Sequence, residues 1–135
     1  MRWKWLYVAA GAAVVLLLGV ELASHLGGES AERRVRRYFD VPGALDTVSL
    51  RAAVLRRVPI GSPESTLADF VVVKRIGADG HSIYRPATSD DVAVIRLDEK
   101  PAPLDPVTEA YIIAFELDSA RRVRGIGVRH AFTGP

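Results

Sequence analysis

The apolar positions fall into two regimes. From Leu6 to Val20 no charged residue interrupts the chain, whereas beyond residue 28 apolar residues recur at helical or strand spacing among polar ones. The first regime begins Met1-Arg-Trp-Lys-Trp-Leu-Tyr7, a basic and aromatic flank before an apolar run, which is the layout of an export signal or signal anchor. From Trp3 to Ala23 it holds 21 residues, enough at about 1.5 Å per residue for a hydrocarbon core of roughly 30 Å. A cut after Ala23 would place Glu21 where signal cleavage needs a small residue. The expectation is therefore an uncleaved transmembrane helix with residues 3–23 in the lipid bilayer. It divides the chain into a membrane anchor (1–28), a basic juxtamembrane segment (29–45) and a small α+β domain (46–135).

In the second regime, Glu29 to Phe39 reads as a short helix with Val35, Tyr38 and Phe39 on one face. Asp46 or Ser49 can cap a following helix whose stripe is Leu50, Val54, Leu55 and Val58. Ile60-Gly-Ser-Pro-Glu64 predicts another helix start, with Ser62 as cap, Pro63 in the first helical position and Glu64 complementing the dipole. Leu67, Phe70 and Val71 supply its buried face, and Gly77 its stop. After Asp79-Gly80 the period changes to two. His81–Arg85, Val92–Leu97, Tyr111–Leu117 and Val123–His130 then read as strands, with Lys100–Pro106 a proline-rich loop and Asp118–Arg121 a hairpin turn. The predicted fold class is α+β: an N-terminal transmembrane helix, then two or three short helices packed on an antiparallel sheet of about four strands.

Composition removes several chemistries. The 135 residues include no cysteine, which excludes disulfides, cysteine-ligated metal, a thiol nucleophile and a lipidated amino-terminal cysteine. The net charge of +2 is a sum of opposed blocks, +4 over residues 31–60, −6 over 61–120 and +4 over 121–135. Within the first block, Arg33, Arg34, Arg36 and Arg37 admit two readings: contact with anionic headgroups or a partner, or a solvated face paired with the acidic middle of the chain. No aromatic ladder or nucleic-acid motif accompanies them, so no nucleic-acid partner is expected. Orientation signals conflict, since Arg2 and Lys4 hold the amino end inside while the four arginines pull the other way; the export layout favours an extracytoplasmic C-terminal domain on the inner membrane.

Gly61-Ser-Pro-Glu64 with Leu67 behind it, then a sheet ending in Phe115-Glu-Leu-Asp118 and Arg122-Val123, resembles the small envelope domains of the SmpA/OmlA (BamE-like) family over residues 46–130. The resemblance implies two helices on an antiparallel sheet and a noncatalytic role in protein or lipid contact at the cell envelope. It carries no functional residue onto this chain.

Catalysis requires converging groups. Asp79, His81, Asp90, Asp91 and His130 are the polar candidates, but they match no metal spacing, and Ser62 and Ser65 lack an adjacent base. No catalytic residue, metal or cofactor is expected. The expected function is a membrane-tethered, noncatalytic interaction module whose partner is another envelope protein. The alternative is an inhibitor or binding domain presenting the acidic surface of Asp90 and Asp91 to a basic cleft. An enzyme would require His81, His130 and a carboxylate to meet in one pocket.

Overall fold

The computed structural model describes residues 8–18, 28–88, 91–100 and 107–134. Among these residues four helices, α1 (8–18), α2 (Ala31–Tyr38), α3 (Thr47–Arg57) and α4 (Glu64–Lys74), precede four strands, β1 (Ser82–Arg85), β2 (Val92–Asp98), β3 (Thr108–Leu117) and β4 (Val123–Thr133). The strands form an antiparallel meander in the order β1-β2-β3-β4. The α+β layer arrangement matches the periodicities.

The transmembrane helix does not. Among the described residues no helix is long and apolar enough to cross a membrane. Helix α1 is described over eleven residues, roughly 16 Å at about 1.5 Å per residue and about half of a hydrocarbon core. Within α1, Val15, Leu16 and Leu17 are all well exposed. The transmembrane, signal-anchor and single-pass expectations are corrected accordingly. Residues 1–7 and 19–27, which carry the rest of that expected span, lie outside the described residues.

Residues that had read as a basic segment before the domain supply part of its core. Ala31, Val35, Tyr38, Phe39 and Val41 are buried with Leu50, Val54 and Val58 of the α3 region, Leu67 and Val71 of α4, and Ala93, Ile95, Leu97, Ile113 and Phe115 of the sheet. Ser30 caps α2 by accepting from the Arg33 N–H, and Asp46 with Ser49 forms a reciprocal capping box on α3. At α4 the N-cap is Pro63, with no side-chain cap bond. The main chain of Ser62 is diverted into the sheet: its carbonyl accepts from the Val123 N–H at 2.8 Å, and the Gly61 N–H reaches the Val123 carbonyl at 2.7 Å.

Helix α4 stops earlier than Gly77, with Arg75 in the left-handed region at φ 54. Gly77 itself has φ 93, a conformation that costs residues with a Cβ about 1–2 kcal/mol. Gly77→Ala is expected to lower stability by about that amount, read as a reduced urea midpoint at unchanged slope.

Candidate functional site

Strand alternation gives the sheet two unlike faces. Ala93, Ile95, Leu97, Ile113 and Phe115 point into the helical layer and are buried. The opposite face carries no helix-facing core residues, and its side chains are brought together only by register. Ile83 pairs with Arg96, Arg96 with Ile112, and Ile112 with Arg129, making one row across all four strands; Arg85, Val94, Ala114 and Gly127 make the next. Ile83, Arg85, Val94, Arg96, Ile112 and Arg129 line a shallow depression of about 420 Å³. Arg96 Nε donates to the Asp98 carboxylate at 2.6 Å. Arg85 and Arg129 have no ion-pair partner among the described residues. The result is an apolar floor of Ile83, Val94 and Ile112 between arginines whose charge is only partly balanced, a surface suited to an acidic and partly apolar counterpart.

The four sequence-predicted arginines do not form one outward patch. Arg34 is 2% exposed and pairs with Asp79, with Glu29 at 3.3 Å and with the Ser82 hydroxyl at 3.4 Å. Arg36 is held by Glu32 at 3.0 Å and by the carbonyls of Val41 and Gly43 at 2.9 and 2.8 Å. Arg37 is shared between Glu29 and Asp79, both at 3.2 Å, and lies over the Tyr38 ring. Arg33 alone of the four has no side-chain ion pair among the described residues.

Asp79 is the hub of this cluster. Besides Arg34 and Arg37 it accepts from the Tyr38 hydroxyl at 3.0 Å, the Ser82 hydroxyl at 3.1 Å, and the N–H groups of His81 and Ser82 at 2.9 and 2.7 Å. Burial pushes its carboxyl up, but the Ser82 and His81 N–H donors, then the Tyr38 hydroxyl and the Arg34 charge, outweigh that and hold it well below the usual carboxylate range. Its role here is structural, joining α2 to the start of the sheet.

Of the expected acidic surface, Asp90 lies outside the described residues. Asp91 is joined to Arg121 at 2.9 Å, and both residues have positive φ. Arg121 also grips Glu64 with two hydrogen bonds of 2.8 Å, and these bonds raise its already high pKa. Sequence reading missed Arg121: it connects the β3–β4 turn, the first residue of α4 and the approach to β2, three places distant along the chain.

His81 and His130 do not meet. Ser82, Leu97, Tyr111 and His130 stand in one row across four strands, so His81, next to Ser82, and His130 sit at opposite edges, roughly 14 Å apart at about 4.8 Å per strand. His130 stacks on Tyr111 with ring centroids 4.4 Å apart and contacts Glu109 at 2.5 Å. Among the described residues no group of three or more histidines or carboxylates is placed to hold a metal ion. Among the described residues the arginine row faces outward, whereas the Asp79 hub and the Arg121–Glu64–Asp91 cluster tie elements of the domain together. No protein-family model matches the chain, and no curated protein or solved structure is significantly similar to it.

Proposed function

We propose that this domain is a noncatalytic protein-interaction module whose open sheet face binds an acidic, partly apolar protein surface. The observation that carries the proposal is the Ile83-Arg96-Ile112-Arg129 row, flanked by Arg85 and left uncovered by the helices. Cationic and apolar groups side by side select for a partner bearing both carboxylates and apolar side chains, with charge setting orientation and on-rate and apolar contact adding affinity. The acidic-surface alternative is disfavoured because Asp91 already has a cationic partner within the domain.

Panning a random peptide library against the domain tests this reading. Enriched peptides are expected to combine Asp or Glu with apolar residues, to weaken as salt rises, and to lose at least about tenfold in affinity on Arg85→Glu/Arg129→Glu. Enriched peptides that bind this double variant as well as the parent would refute the assignment.

A further inference from the structure

Strand β4 is an edge strand of eleven residues, and its two halves are treated differently. The Glu99 N–H donates to the Glu109 carbonyl, and the Leu117 N–H to the Asp91 carbonyl, both at 2.8 Å. Residues 109, 111, 113, 115 and 117 of β3 therefore turn their main-chain groups toward β2. Their β4 partners in register, Ile126, Val128, His130 and Phe132, must turn theirs away from β3, toward the open edge.

The first half of that edge is closed. Val123 is bonded to Gly61 and Ser62, and the Ile126 carbonyl accepts from Arg51 Nε at 3.0 Å. From Val128 onward no bond outside the ladder reaches the main chain among the described residues. Of the usual protections of an edge only a charge, Arg129, is present there: Val128-Arg-His-Ala-Phe-Thr133 contains no proline, lysine or glycine, and the irregularity of the β3–β4 ladder is at the far end, at Glu116/Leu117. The opposite edge, β1, has only four residues and is followed by Pro86.

We infer that the Val128–Thr133 edge accepts one extended segment of a partner protein as a fifth strand, and that this segment alternates carboxylate with apolar residues. Main-chain pairing to Val128, His130 and Phe132 supplies the attachment. Side chains supply the selection. On the outer face an incoming residue lies beside Arg129, which has no ion-pair partner among the described residues, so a carboxylate fits. On the inner face it lies beside Val128 and Phe132, the latter 65% exposed, so an apolar residue fits. The inference rests on the domain being an interaction module and specifies how the partner docks.

The test uses a short synthetic peptide alternating glutamate with valine or phenylalanine, titrated into the full chain while amide hydrogen exchange is followed. Slowed exchange at Val128, His130 and Phe132 is expected. Phe132→Pro removes an outward N–H without a ladder bond to β3, and should weaken binding at least about tenfold with an unchanged circular dichroism spectrum. Phe132→Ala, which keeps the N–H, should weaken it less. Arg129→Glu should invert the preference toward a lysine version of the peptide.

Binding that survives Phe132→Pro, or that leaves those three amides unchanged, overturns the edge inference while the sheet-face reading stands on the panning result. No binding by the parent chain also overturns it. If the same amides slow with protein concentration alone, sedimentation will show self-association, and a second copy replaces the acidic segment as the occupant.

Discussion

Asp79→Ala is expected to lower the free energy of unfolding by about 3–5 kcal/mol, because it takes one of two carboxylates from the buried Arg34 guanidinium and removes the acceptor for the Tyr38 and Ser82 hydroxyls and the His81 and Ser82 N–H groups. Only Glu29 at 3.3 Å and the Ser82 hydroxyl at 3.4 Å would remain to the guanidinium, and Arg34 Nε already has no partner. Arg34→Met, which removes the buried charge and keeps most of the volume, should cost less, since Asp79 retains Arg37, Tyr38, Ser82 and the two backbone donors. Urea unfolding of the two variants provides the comparison, and a loss below about 1 kcal/mol for Asp79→Ala would mean that the hub does not hold α2 to the sheet.

The same hub sets an acid limit. The folded-state pKa of Asp79 is depressed relative to its ordinary value of 3.8, so its contribution to stability is present above pH 3.8 and is lost as pH falls below that value through the folded pKa. Urea midpoints should decline as pH drops from about 4, and the decline should be shallower in Asp79→Asn; parallel curves would remove Asp79 as the cause.

Phe39→Ala should be comparably damaging, at about 3–5 kcal/mol. Phe39 is fully buried at the end of α2 and stacks on Phe70 of α4 with centroids 5.1 Å apart, so its removal leaves a cavity where two helices meet. Phe39→Leu, which refills most of that volume, should recover more than half of the loss. Equal losses for the two variants would point to backbone disruption instead.

The regular elements could be anticipated because each is written locally. Period-two runs gave the four strands, three residues short at the start of β3 and at the end of β4, and Asp46 as a candidate cap gave the start of α3. What escaped depends on pairing between distant positions. A hydrophobic pattern assigns a cation such as Arg34 to solvent, yet it sits on the buried face of α2 because Asp79, 45 residues away, awaits it. Ser62 looked like a cap, but its main chain is taken by Val123. Arg85, Arg96 and Arg129 are unremarkable in sequence and become one surface only when the register is known. The consecutive pairs Val94-Ile95 and Ile112-Ile113 are the local clues, since they place apolar residues on both faces of β2 and β3. At the amino-terminal end the difference is of another kind: among the described residues the helical part of the apolar stretch covers eleven residues, fewer than a span requires.

The bond from the Lys100 N–H to the Glu29 carbonyl, 2.9 Å long, fixes where the chain enters the domain. Gly28 packs against the Lys100 carbonyl beside it, and Glu99, Glu109 and Phe132 continue the same row toward β4. Entry at Gly28 and exit at Thr133 therefore share the end of the sheet that holds the open half of β4. A fluorophore or affinity tag attached at either point would crowd the edge it is meant to report on. The Ser119-Ala120 turn, at the opposite end of the β3–β4 hairpin and exposed, is the place from which a probe can watch that edge without competing for it.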